Sequence, residues 1–141
     1  MIRRMTGRLC TVALYALVMI ALHGGAVGEA AETGAKAAPV FSGALPNVPG
    51  KRLTAVVVDY APGGASPAHH HAGSVFVYVL AGAVRSQVGD GPVTVYTAGQ
   101  SFFEPPGGQH LVSENASATE PARILAVFVA DEGATLTVYD R

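Results

Sequence analysis

From Val40 to the C-terminus, apolar positions fall in short runs rich in Val, Phe and Tyr, punctuated by Gly, Pro, Asp and Asn. The runs are Leu53 to Asp59, Val75 to Leu80, Ala83 to Val88, Val93 to Tyr96, Ser101 to Glu104, His110 to Ser113, Arg123 to Val129 and Leu136 to Tyr139. No helical period is sustained across them. Eight short strands with turn residues between them predict an all-β sandwich or barrel. Ala81-Gly82 reads as a two-residue hairpin connection, and Gly89-Asp90-Gly91-Pro92 closes the next strand. Phe76, Tyr78 and Phe102 are expected in the core or lining a barrel, because strand aromatics usually pack.

The N-terminal segment has a different texture. Arg3, Arg4 and Arg8 precede a continuous apolar stretch from Thr11 to Leu22, followed by small residues from Gly24 to Ala31. That order predicts a secretory signal over residues 1–30 and a secreted or periplasmic protein. Twelve residues at ~1.5 Å each fall short of a ~30 Å bilayer core, so no membrane association is expected after cleavage. Residues 31–39, mostly Ala, Gly, Glu, Thr and Lys, predict a flexible tether. Residues 40–141 then form one domain.

Composition narrows the partners. From Ala31 onward the chain has nine acidic and six basic residues and no basic cluster, which excludes nucleic acid as a partner. Cys10 is the only cysteine, so the domain has neither a disulfide nor a thiolate ligand.

Four of the five histidines are concentrated in two places: His69-His70-His71, and His110 about forty residues later. On an extended strand the side chains of His69 and His71 point the same way while His70 faces away, so the two can share an ion. Each place sits in a glycine and proline frame. Gly63, His69, His71 and Gly82 match a glycine, five residues, His-x-His and a closing glycine. Gly99, Pro105, Gly107 and His110 match a glycine, five residues, Pro-x-Gly, two residues and a histidine, with Asn115 following. Both motifs, in this order, resemble those of the cupin family over roughly Val40 to Val129. The resemblance implies a double-stranded β-helix, or jelly-roll barrel, with a divalent metal held by His69, His71 and His110. It also implies a homodimer paired through edge strands and the N-terminal segment.

Where the family's glutamate ligand belongs, this chain has Val75, with Phe76 at the alternative spacing. A valine cannot ligate, which leaves a neutral three-histidine site with open positions. In ligand count this is similar to the cupin dioxygenases that use non-heme iron. Glu104, just before Pro105, is the candidate fourth ligand or catalytic proton carrier. Gln87 is a second candidate, expected to pair with Phe76 across the hairpin. Arg85 is either a solvated charge or a rim group for a substrate carboxylate. These features predict a metal-dependent oxidoreductase acting on a small molecule, with Fe favoured and Zn, Ni, Cu or Mn as the other candidates. A non-redox isomerase or hydrolase and a non-catalytic binding or sensing barrel are the alternatives.

Overall fold

The computed structural model describes residues 33–141; the expected signal falls outside them. Among these residues there are ten strands: β1 (Ala35–Ala44), β2 (Lys51–Tyr60), β3 (His69–His71), β4 (Ser74–Ala81), β5 (Ala83–Val88), β6 (Thr94–Thr97), β7 (Ser101–Glu104), β8 (Gln109–Asn115), β9 (Ala122–Asp131) and β10 (Thr137–Tyr139). They form two antiparallel five-stranded sheets. The first runs β1-β2-β9-β4-β7 and the second β10-β3-β8-β5-β6. Together they make the expected double-stranded β-helix.

The sequence explains the layering. Period-two alternation sends Val75, Val77 and Val79 of β4 inward, where all three are fully buried, and Ile124, Ala126 and Phe128 of β9 face the same side. With Tyr60, Val84 and Ala122 they form one core between the sheets. The same alternation places Phe76 and Tyr78 outside, 46% and 38% exposed, against the expectation that they pack in the core.

Two further expectations are corrected. The tether ends early: β1 starts at Ala35 and pairs with β2 from Ala35 opposite Tyr60 to Ala44 opposite Arg52. Its small residues have little strand preference of their own, but β2 is a Val-rich strand with an open ladder, and pairing satisfies it. Pro39 is tolerated because β1 is an edge, and a register shift follows between Pro39 and Phe41. The Ala81-Gly82 connection is also no hairpin. It carries the chain from β4 in the first sheet to β5 in the second. Gly82 has φ +69°, and a Cβ there would lie 2.5 Å from the Pro121 carbonyl oxygen, so the crossing requires glycine. Phe76 and Gln87 therefore sit in different sheets and do not pair.

Candidate metal centre

β3 is only three residues long, yet it fixes two of the candidate ligands. It is held on one side by β10 and on the other by β8, with His69 directly opposite His110. The burial pattern places His69 and His71 inside and His70 partly outside. The proline-glycine loop after β7 is tied to the same strand, because Gly107 N–H donates to the His71 carbonyl. With φ +72°, Gly107 turns the chain where a side-chain-bearing residue would be strained. The loop delivers His110 beside His69, their rings 5.0 Å apart.

Backbone acceptors set the ring orientations. His69 Nδ1 donates to the Pro67 carbonyl at 2.6 Å, and His71 Nδ1 to the Leu136 carbonyl at 2.9 Å. Each imidazole then presents its Nε2 lone pair inward, the orienting contact that metal-binding histidines use. Burial lowers the pKa of His69 below the ordinary value of 6.5; the Pro67 hydrogen bond opposes this, and the neighbouring His110 and His71 add to it. His69 is accordingly neutral at neutral pH. His110 is held through Nε2, 2.8 Å from Ser86 Oγ, which leaves Nδ1 facing the cluster.

Glu104 completes the group. Its Oε2 lies 3.0 Å from His110 Nδ1 and 3.5 Å from His71 Nε2, and the residue is 2% exposed. The contact with His110 is off the hydrogen-bonding direction, so both Glu104 Oε2 and His110 Nδ1 are buried without a hydrogen-bond partner. Buried polar atoms left this way are costly unless something else satisfies them. The four ligand atoms of His69, His71, Glu104 and His110 lie within 4.8 Å of one another. An ion with ligand bonds near 2.1 Å separates its ligands by roughly 3–4.2 Å, so the group fits a single ion with slight contraction.

The carboxylate therefore reaches the centre by another route than the motif. Val75, at the position of the missing glutamate, pairs directly with Glu104 across β4 and β7. Cross-strand partners share a face. The group that could hold an ion is thus three imidazoles and one carboxyl side chain, a donor set that suits Fe, Mn, Zn, Ni or Cu(II).

The centre lies against a cavity of about 380 Å³. Ala35, Ala37 and Pro39 of β1, Val56 and Val58 of β2, and Ile124 of β9 supply much of its wall, and among the described residues no Lys or Arg lines it. A hydrogen-bonded polar patch lies in the wall: Tyr60 OH is 2.8 Å from Ser113 Oγ and 3.4 Å from Ser66 Oγ. Burial raises the Tyr60 pKa, so it stays a phenol.

The other candidates lie elsewhere. Gln87 Nε2 donates to the Gly91 carbonyl, Arg85 pairs with Glu114 at 2.6 Å, and His70 pairs with Asp140 at 2.8 Å. Tyr60, Ser86, Ser113 and the β1 lining were missed from sequence. Ser86 and Ser113 were findable in principle, as polar residues at inward strand positions.

The family model described as the cupin domain matches residues 56–128, which is over half of the chain. The chain is a cupin. Solved structures agree. An RmlC-like cupin from Shewanella frigidimarina is 27% identical with a TM-score of 0.55, covering 72% of this chain and 80% of its own. A variant of Bacillus subtilis oxalate decarboxylase OxdC is 25% identical with a TM-score of 0.54, covering 62% of this cupin and 23% of its own chain. The DMSP lyase DddQ from Ruegeria pomeroyi, at 24% identity and a TM-score of 0.54, shares the fold over 62% of this chain and 42% of its own. This cupin thus spans less than half of the lyase and decarboxylase chains. No curated protein is significantly similar to it.

Proposed function

We propose that this cupin is a metal-dependent oxidoreductase of dioxygenase type. It holds one divalent ion, Fe favoured, on His69, His71, His110 and Glu104, and acts on a small, mostly apolar molecule. The observation that carries this reading is the convergence of four buried ligand atoms, two of them otherwise unpartnered, at the wall of an apolar cavity. With His69, His71, His110 and Glu104 as its protein ligands, a bound ion would remain open to a small molecule entering from the cavity. The bound ion supplies redox and Lewis-acid chemistry to whatever oxygen atoms reach it.

The chain's own residues define the rest. The Pro67 and Leu136 carbonyls keep His69 and His71 in the ligating tautomer. The lining without Lys or Arg disfavours a multiply charged acid and favours a neutral or singly charged compound. Tyr60, as a phenol beside Ser66 and Ser113, offers a hydrogen bond to one polar group of that compound. The N-terminal pattern supports action outside the cytoplasm, secreted or periplasmic.

The test is oxygen uptake by protein loaded with Fe(II) under anaerobic conditions, against a panel of small neutral oxygen-bearing apolar compounds. Substrate-dependent uptake that is lost in His110→Ala supports the reading. Turnover of the same compounds without oxygen consumption contradicts it and assigns a non-redox reaction.

A further inference from the structure

The middle histidine of the run on β3 has no place in the metal centre. His70 faces outward, half-buried, and its Nδ1–H donates to Asp140 Oδ1 at 2.8 Å. Asp140 directly follows β10, and its own backbone N–H donates to the Ala68 carbonyl at 2.9 Å, one step beyond the Tyr139–His69 pair that ends the β10–β3 ladder. Its Oδ2 is buried and, among the described residues, has no hydrogen-bond partner. A carboxylate oxygen kept from water costs free energy, so the seat of Asp140 depends on the His70 bond to its other oxygen.

The other face of β10 belongs to the centre. Alternation along the strand sends Thr137 and Tyr139 inward, where both line the cavity with Leu136. His71 Nδ1 is 2.9 Å from the Leu136 carbonyl and 3.2 Å from Thr137 Oγ1, and the Tyr139 ring stands edge-on to His69 at 6.0 Å. Both acceptors that orient His71 thus come from β10 and the residue before it. Yet β10 is three residues long and pairs on one side only, with β3 at the edge of the second sheet. A strand that short, with a single neighbour, frays unless side chains pin it.

We propose that Asp140 and His70 form a clamp that seats β10 and so positions His71 for the metal, an inference that rests on the metal centre proposed above. Neither residue belongs to the ligand group. Asp140 is a positioning residue: it acts through β10 on the Leu136 carbonyl, and through that carbonyl on the His71 ring. When β10 lifts, His71 loses both acceptors at Nδ1, and its ring is free to turn Nε2 away from Glu104, 3.5 Å distant. The same motion takes Leu136 and Tyr139 off the cavity wall. The clamp therefore gives the middle histidine a task on the outer face of β3 that serves its neighbours on the inner one.

Two measurements on protein expressed from the full-length sequence test this: Fe(II) affinity under anaerobic conditions, by competition with a chromophoric chelator, and hydrogen exchange of peptides covering residues 133–141. Asp140→Ala is expected to weaken Fe(II) binding about tenfold, at the lower end of what losing a group that orients a metal ligand costs, and to speed exchange over that segment alone. His70→Ala should do the same, and the double variant should do no more than either. Asp140→Asn keeps the acceptor for His70 and should restore most of both signals. Arg85→Ala breaks an outward ion pair elsewhere on the same sheet and should leave affinity and exchange as in wild type. If Asp140→Ala fails to fold, His70→Ala takes its place. Wild-type affinity in the folded variant overturns the clamp and leaves the centre intact, as does a loss that Asp140→Asn does not restore. Wild type that binds no Fe(II) overturns the metal reading itself, and the clamp with it.

Discussion

The second sheet carries His69, His71 and His110 on its inner side and Arg85, Glu114 and His70 toward solvent. The first carries Val75, Val77 and Phe128 inside and Phe76, Tyr78 and Phe103 outside. The histidines are therefore gathered on the inner side of the second sheet and the exposed phenylalanines on the outer side of the first, although the two sheets enclose the same cavity. A buried polar residue needs a partner. In the second sheet those partners are the Pro67 and Leu136 carbonyls and Ser86, and the remaining atoms belong to a group that could hold an ion. Glu104 joins the two: a carboxyl group on the first sheet, aimed at the histidines of the second.

The largest effect is expected from emptying the polar side. His69→Ala/His71→Ala removes two of four ligands and should reduce bound metal to background, read by plasma mass spectrometry on protein purified beside wild type. Next comes the apolar side. Phe128 is buried and sets its ring edge-on to His71 at 5.0 Å, so Phe128→Ala should cost about 3–5 kcal/mol of stability in denaturant unfolding. A stability unchanged by that substitution would remove the first sheet from its role as the wall of the site.

Proton linkage sharpens the contrast. The pKa of His69 is lowered in the folded protein, so the unfolded chain binds more protons between the lowered value and 6.5. Stability of the metal-free protein should therefore rise with pH through that window and fall as the solution is acidified below 6.5. Denaturant midpoints at several pH values would show it, and the His69→Ala protein should lose that part of the slope. The smallest effect belongs to the solvent side of the second sheet. Arg85→Ala breaks a half-exposed ion pair with Glu114 and should change stability by less than about 1 kcal/mol, without altering metal content.

Much of this division is legible in the sequence. The strands, the barrel and the three histidines follow from period-two patterning and from the spacing of two loops shaped by glycine and proline. Glu104 was legible as a candidate, but its facing was not. Side-chain parity on a four-residue strand depends on register against β4, and register is set by tertiary pairing. The same limit explains Gln87 and the outward Phe76, since reading Ala81-Gly82 as a hairpin joined two strands that belong to different sheets. β1 was hidden for another reason. Its Ala-rich composition has no strand signal of its own, and only the open edge of β2 makes it a strand.

The central claim is that the carboxylate missing at Val75 is supplied from the facing strand by Glu104. Metal content of Glu104→Val and of Val75→Glu/Glu104→Val, measured beside wild type after identical loading, tests it directly. Near-stoichiometric metal in wild type, at least a tenfold loss of affinity in Glu104→Val, and recovery in the double variant are the results predicted. Metal bound by Glu104→Val as tightly as by wild type would contradict the claim and restore a site of three histidines alone.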